Sequence, residues 1–449
     1  MPSDQLRLSP LHRLWRLLPA RQRREAFAWL SAQVAPRPDA DPPVRRGLAV
    51  GGEVSRASGL GEGARLMLRG AAQCGIPTWA LDVGTPVRHG GPQIAFDQGP
   101  PPPAGVPLVL HVNAPVLPLA LIRLGRRLVR QRRIVGYWAW ELPVAPPGWR
   151  FATRFVHEIW VPSAFTAAAM EPLLPGRVRV VRPPLALAPP SPAPIGRDGF
   201  GLPAEAVVVL VVFNLASSFV RKNPLGAIAA FRAAFGDRPD RILVLKVTNA
   251  DHFADDFAQL RAAVAGASNI RIDDRLMPPD MLAALMQAAD IVLTLHRSEG
   301  LGLVPAEAML LGRAVVSTGW SGNLDFMDAA SAALVPVRLV TPDDPRGVLV
   351  AEGAVWADPD LAVAAAHLRR LADDPIARAD LAAAGQRLAR ERLGADTLIA
   401  ALRGIGALGS DAVGTDALGG DALGSDALGS GGLAKDAGRT GATSAPRVS

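Results

Sequence analysis

The sequence predicts an α/β protein made of two parallel-sheet domains, with a basic extension in front and a glycine-rich tail behind. Three observations carry that reading. Short apolar runs alternate with alanine-rich helical stretches from about residue 46 to residue 392, a pattern that implies βαβ units and a parallel sheet covered on both faces. A proline-dense segment, RPPLALAPPSPAPI (Arg182–Ile195), divides the alternation into two sets. Glycine-rich turns follow the first strand of the first set and a late strand of the second, where strand ends meet helix starts.

The totals agree. A chain of 449 residues suggests two domains plus appendages. With 49% hydrophobic and 20% charged residues, it can bury a large core. One cysteine, Cys74, excludes an internal disulfide and fits a reducing compartment. The net charge of +7 points to an anionic partner, which a sugar diphosphate, an anionic acceptor or a membrane surface would satisfy. No nucleic-acid module is recognisable, so nucleic acid is not expected. No stretch has the uncharged length needed to span a bilayer, and the start lacks a signal-peptide pattern. A cytoplasmic protein, peripheral at the inner membrane face, is expected.

Residues 1–45 form the extension and its linker. LHRLWRLLPARQRREAFAWL (residues 11–30) reads as one or two basic amphipathic helices interrupted at Pro19. Either Trp15, Leu18, Phe27 and Trp29 dip into an anionic lipid headgroup layer beside the arginines, or the helix packs on the body with its basic face in water. Residues 46–185 form the first domain, with strands expected at 47–51, 78–83, 106–112, 133–138, 158–161 and 178–181. Residues 186–200 are a proline-rich linker. Residues 201–403 form the second domain, with strands at 207–213, 242–247, 270–273, 290–295 and 314–317, helices between them, and terminal helices over 360–392. Residues 404–449 are a tail. It repeats DAVGT, DALGG, DALGS and DALGS between Asp411 and Ser430, is too rich in glycine to build a core, and is expected to be disordered.

The densest chemical signal runs from His296 to Met327. Glu299 lies just before the turn Gly300-Leu301-Gly302, and Glu307 lies inside the helix that follows. Such a turn aims backbone N–H groups at one spot, where the helix dipole favours an anion. Two carboxylates flanking that spot suit a ligand with a diphosphate in its middle and hydroxyl-rich groups at both ends. A sugar nucleotide is such a ligand. The plainer alternative is an ordinary strand–turn–helix unit with solvated glutamates.

The stretch resembles the E-x7-E signature of retaining glycosyltransferases with the GT-B fold, specifically glycosyltransferase family 4. The segments YWAWELP (from Tyr137) and SEGLGLVPAEAM (from Ser298) resemble a bacterial subgroup of that family. The resemblance implies two Rossmann-like domains facing each other across a cleft, with Glu299 by the donor sugar and Glu307 on the ribose hydroxyls. Thr318 to Asp325 resembles the following glycine-rich loop, with Asp325 where a Glu is commoner; it brings Ser321, Gly322 and Asn323 to the donor, and Gly300, Gly302 and Gly322 would offer N–H groups. Arg221-Lys222-Asn223-Pro224 resembles the phosphate-binding basic pair, although the preceding turn, Phe213 to Ser218, lacks the usual Arg.

Lys246 ends a strand, either at the cleft mouth or snorkelling out of the sheet. On the first domain, Gly51-Gly52 and Gly59-Leu60-Gly61 resemble the loop that phosphates approach. Trp138, Trp140 and Glu141 suit sugar recognition by ring stacking and a carboxylate, with core packing of the rings as the alternative. They stand where many family members have a His. His111 and His296 are further candidates, each weighed against a buried structural histidine. No metal site is expected, since Asp39-Ala40-Asp41 and Asp358-Pro359-Asp360 are misplaced for one. The resemblance implies a metal-independent hexosyltransferase using a nucleotide-diphosphate sugar as co-substrate and a glycan or lipid-linked acceptor, in polysaccharide or glycolipid synthesis. A catalytically silent sugar-binding scaffold and a nucleotide-sugar epimerase are the alternatives.

Overall fold

The computed structural model describes residues 20–56, 58–84 and 99–408. The expectations for residues 11–19 and for the 411–430 repeat fall outside them. Helix α1 (Ala20–Val34) precedes the first domain. That domain contains β1 (Leu48–Gly52), α2 (Gly59–Gln73), β2 (Thr78–Asp82), β3 (Leu108–His111), α3 (Leu117–Leu124), α4 (Arg126–Arg130), β4 (Ile134–Tyr137), a 3₁₀ stretch at Pro147–Phe155, β5 (Glu158–Val161), α5 (Ala164–Met170) and β6 (Val178–Val180). Its strands form one parallel sheet in the order β2-β1-β3-β4-β5-β6.

The second domain contains β7 (Val207–Asn214), α6 (Phe219–Lys222), α7 (Pro224–Phe235), β8 (Arg241–Thr248), α8 (Ala254–Val264), β9 (Ile270–Asp273), α9 (Pro279–Ala288), β10 (Ile291–Thr294), α10 (Leu303–Leu310), β11 (Ala314–Thr318) and β12 (Ala333–Val335). They too make a parallel sheet, ordered β12-β11-β10-β7-β8-β9. A hairpin of β13 (Val337–Val340) and β14 (Trp356–Pro359) follows, then α11 (Leu361–Asp373), α12 (Pro375–Arg392) and α13 (Asp396–Gly404). The two Rossmann-like sheets agree with the predicted fold class.

Local chemistry explains the boundaries. The runs VVVLVVFN and RILVLKVT are apolar along nearly their whole length because both faces of β7 and β8 are covered. Prolines at the first position open α7, α9 and α12, where a missing N–H costs nothing. Asp374 caps α12 by accepting from the Ala377 N–H at 2.9 Å.

In each sheet the strand order reverses once, between β1 and β3 and between β7 and β10. Connections leave in opposite directions at such a place, so a crevice opens at the strand carboxyl ends. That rule fixes where a ligand would enter both domains.

Three features depart from the sequence reading. The strand–helix alternation gives no hint of the antiparallel β13–β14 hairpin. The long loop between its strands folds back, so that Leu349, Ala354 and Trp356 are buried in the first domain's core with Trp138, Trp149 and Leu142. On the other flank Leu66 of α2 and Leu185 of the linker pack into the second domain with Leu301 and Phe326. The C-terminal end also crosses back, because the Gly47 N–H donates to Ala407 O at 3.0 Å and the Arg182 N–H to Thr397 Oγ1 at 3.0 Å. α13 therefore sits against the first domain rather than ending the second.

The expectation that Trp138 and Trp140 offer ring faces to a sugar is corrected. Both are buried and meet Trp149 edge-on, with centroids 5.9 and 5.1 Å away, and Trp140 Nε1 donates to Val144 O at 2.8 Å. Extended backbone sends alternate side chains to opposite sides. With the two tryptophans turned into the core, Ala139 and Glu141 line the cleft.

Since Trp356 belongs to the second domain but fills the first domain's core, Trp356→Ala is expected to cost about 3–5 kcal/mol, the usual range for deleting a buried ring. Chemical denaturation followed by tryptophan fluorescence and far-UV dichroism would report it as a lower transition midpoint.

Candidate functional site

Both crevices open into one cavity of about 340 Å³. The first domain contributes Gly59, Leu60 and Gly63 from α2, His111 at the end of β3, and Glu141. The second contributes Asn214 at the end of β7, Arg221 and Lys222 of α6, and Glu299 with the turn and helix start from Gly300 to Pro305. Two helix N-termini, those of α2 and α10, thus border the same space. Gly302 opens α10 at φ +95°, a conformation glycine adopts without penalty, and no side chain caps the helix. Such an uncapped start favours an anion.

The cations come from a tightly specified turn. α6 is a single turn bracketed by Ser218 (φ +69°) and Asn223 (φ +53°), both in left-handed conformations that are uncommon for residues with a side chain. Ser218 Oγ accepts from the Arg221 N–H at 3.3 Å, while Asn223 donates through Nδ2 to Leu295 O at 2.9 Å and accepts from the Gly226 N–H at 3.2 Å. Those contacts hold the turn against β10, and strain of this kind gathers at ligand sites.

Arg221 is buried and donates to Ser298 O at 2.7 Å and Ser217 O at 2.8 Å. Its guanidinium lies 3.1 Å from Glu299 and 3.8 Å from Glu141, so it bridges a carboxylate from each domain. Lys222 Nζ donates to the other oxygen of Glu299. Burial opposes ionisation of Glu299, yet Lys222 and Arg221 outweigh it and hold the carboxyl well below the usual carboxylate range. Burial pulls the Lys222 ammonium down, with Glu299 opposing. Glu307, in α10, has no such partner. Burial, with Glu62 of the facing helix adding to it, pushes its carboxyl up to about 8.

Several candidates prove to support the site from behind. Ser321 Oγ accepts from the Glu299 N–H at 2.9 Å, and Asn323 Nδ2 donates to Thr318 O at 2.8 Å. His296 lies between Thr294 Oγ1 (2.9 Å from Nδ1) and Asn323 Oδ1 (3.1 Å from Nε2), and burial lowers its pKa to about 4. Neither these three side chains nor Glu307 is among the residues lining the cavity. The expectation that the Gly322 N–H faces phosphates is corrected too, because it donates to Glu299 O at 3.0 Å. A β-carbon at Gly322 would lie 2.2 Å from Gly300 O, so the residue is glycine to let two loops touch.

Lys246 borders the cavity with its stem, but its ammonium donates to Asp273 O at 3.1 Å and Arg275 O at 2.5 Å and is buried. It fixes the loop after β9 rather than meeting the cleft. Gly52 is interior to the sheet and packs on His111, leaving the wall to Gly59, Leu60 and Gly63. His111 stacks on Tyr137 with centroids 4.1 Å apart, and burial lowers its pKa to about 3. Its Nδ1 is buried close to Gly63 with no hydrogen-bond partner among the described residues.

A cross-domain set was not legible in the sequence. Ser163 Oγ and Thr166 Oγ1 of the first domain donate to Gly300 O at 2.5 and 3.3 Å, and Ser298 Oγ donates to Glu141 O. Asp325 accepts from the Ala164 N–H at 3.0 Å and pairs with Arg182 at 2.9 Å. A serine before a helix signals only a cap. Among the described residues, no group of three or more His, Cys, Asp or Glu side chains is placed to hold a metal ion. Asp39 pairs instead with Arg130, and Asp358 with Arg297 and Arg338.

Comparison with known proteins bears on this cleft. Residues 209–354 match the family model described as Glycosyl transferases group 1. No curated protein matches the chain. Among solved structures, HepE from Anabaena, in complex with UDP and glucose, superposes with a TM-score of 0.56 at 14% identity, covering 81% of this chain and 100% of that one. Sucrose-phosphate synthase from Thermosynechococcus elongatus gives 0.56 at 15%, covering 80% and 98%. WaaG, a glycosyltransferase involved in lipopolysaccharide biosynthesis, gives 0.51 at 15%, covering 79% and 99%. The fold is GT-B, and the segment that matches the family model lies mostly in its second domain.

The raised Glu307 carboxyl has a thermal signature. It keeps its proton in the folded chain up to about pH 8 but loses it near 4.5 when unfolded, so its contribution to stability is full below pH 4.5 and is lost as pH rises towards 8. Glu307→Gln should leave the melting temperature at pH 4.5 nearly unchanged and raise it at pH 8.5 by roughly 2 °C, read by differential scanning fluorimetry across pH.

Proposed function

We propose that this chain is a retaining glycosyltransferase of the family 4 type, moving a hexose from a nucleotide-diphosphate sugar to a glycan or lipid-linked acceptor. One observation carries the reading. Arg221, Lys222 and Glu299 converge on the cavity where the uncapped start of α10 also opens. The matched group 1 segment contains all three residues. HepE, which has the same fold, has been solved with UDP-glucose.

Chemistry follows from charge. The donor's C1–O bond to phosphate breaks while the acceptor oxygen bonds to C1 from the same face. The acceptor proton passes to the departing phosphate oxygen, so no protein base is required. Negative charge builds on the leaving diphosphate, and groups that meet it there lower the barrier. Lys222, Arg221 and the N–H groups at the start of α10 take that role. In the free cleft Glu299 pairs with both cations. A diphosphate competes for them, and Glu299 is then released towards the sugar hydroxyls. Glu307, protonated at neutral pH, would serve the ribose as both donor and acceptor. Glu141 and the unpartnered Nδ1 of His111 lie on the acceptor side. The reaction would run in the cytoplasm, with the protein peripheral at the membrane that holds a lipid-linked acceptor; among the described residues no helix is long and apolar enough to cross a membrane.

Purified protein with UDP, GDP, ADP and their sugar conjugates, with and without EDTA, tests this. One nucleotide should stabilise the fold, and the shift should survive EDTA. Lys222→Ala should weaken that nucleotide's binding about 10- to 100-fold, as for losing one charge-assisted contact. Glu299→Gln removes the competitor for Lys222, so nucleotide affinity should hold or rise while transfer falls by roughly 10²-fold or more. No response to any nucleotide would move the assignment to a silent scaffold, and unchanged transfer in Glu299→Gln would take Glu299 out of the catalytic set.

A further inference from the structure

Helix α1 lies before the first strand and belongs to neither βαβ series. Its inner residues Ala28, Ser31 and Ala32 are buried against the first domain, where α1 packs along α3. The outer face is unusual. Trp29 and Val34 keep 62% and 73% of their surface, Leu30 51% and Phe27 42%. Ile122 of the adjoining α3 is exposed as well. Scattered singly, such residues need no explanation, but gathered on one helix and its neighbour they mark an interaction face.

The rim of this face is cationic. Arg123, Arg126, Arg127 and Arg130 are exposed there, and the sequence from 117 to 133 has no carboxylate. Arg126 and Arg127 of α4 are exposed, and among the described residues neither has an ion-pair partner. Arg130 pairs with Asp39 at 2.9 Å and so ties α4 to the chain leaving α1, making helices and arginines one continuous surface. A two-fold contact between copies of this chain would set arginines of one against arginines of the other. A surface rich in phosphate complements the face instead. Apolar rings enter a headgroup layer while guanidinium groups pair with lipid phosphates.

We propose that the outer face of α1, with Ile122, Arg126 and Arg127, docks on an anionic phospholipid bilayer. The idea rests on the transferase reading in one respect, since it brings a lipid-linked acceptor to the first-domain wall. The docking face lies on the domain that also carries His111 and Glu141, the acceptor side in that reading.

Vesicle flotation of the full chain tests it, using phosphatidylcholine vesicles with and without phosphatidylglycerol. Wild type should float only with phosphatidylglycerol present, and less at high salt. Trp29→Ser/Leu30→Ser and Arg126→Glu/Arg127→Glu should each lower the bound fraction at least tenfold, with the melting temperature and any nucleotide-induced shift unchanged. Equal binding to neutral vesicles, or variants that float like wild type, would overturn the proposal. So would variants that lose only self-association in ultracentrifugation, which would assign the face to a second copy. A wild type that binds vesicles but no nucleotide would sink the transferase reading and leave the docking face standing.

Discussion

A buried arginine and a half-buried lysine held by one carboxylate are the arrangement on which the cleft depends. Arg221 and Lys222 are adjacent in sequence, yet each takes a different oxygen of Glu299. Burying the Arg221 charge is costly unless it is paired, and Glu299, Glu141 and the carbonyls of Ser298 and Ser217 pair it. Much of the surrounding structure exists to keep the three groups in register. Ser218 and Asn223 fix the turn that presents the cations. Ser321, Asn323 and His296 fix the loop that presents the carboxylate, and Gly322 lets that loop pass close to Gly300. The cations already have carboxylate partners, Glu299 for both and Glu141 for Arg221.

Polar contacts across the cleft make this pairing a property of both domains. Glu141 reaches Arg221 from the first domain, and Ser163 and Thr166 bond the carbonyl of Gly300. The position of Glu299 is therefore set partly by residues far from it in sequence. On the two flanks the contact is apolar, with Trp356 on one side and Leu66 on the other. Interfaces of that character resist free movement between domains.

The frame of this architecture was legible because it rests on local rules. Alternating apolar runs place every strand of both parallel sheets except β12, whose three residues are too short to register. The spacing of Glu299, the glycine turn and Glu307 marks the helix start that borders the cavity, since a helix after a buried strand begins at the strand's carboxyl end in any such unit. Lys222 and Arg221 were legible for the same reason. What could not be read was direction. Nothing in the string YWAWELP says which side of the extended chain faces the core, and the tryptophans took the interior. Nor does a strand-end lysine announce that its ammonium will be consumed by the carbonyls of the next loop, as for Lys246. Long-range partners such as Asp325 with Arg182 depend on how two domains meet, which no local pattern encodes.

The interleaving of the chain has a consequence for modular engineering. A proline-rich linker invites the exchange of halves between related proteins by cutting at residues 186–200. Here the polypeptide passes between the halves again, through the loop carrying Leu349, Ala354 and Trp356 and through α13 with Ala407 beyond it. A second half expressed alone would bring a greasy strap with no socket, and a first half would have an open seam where that strap belongs. The smallest transplantable unit is thus both sheets together with the returning C-terminal segment, and a chimera must carry all three from one parent.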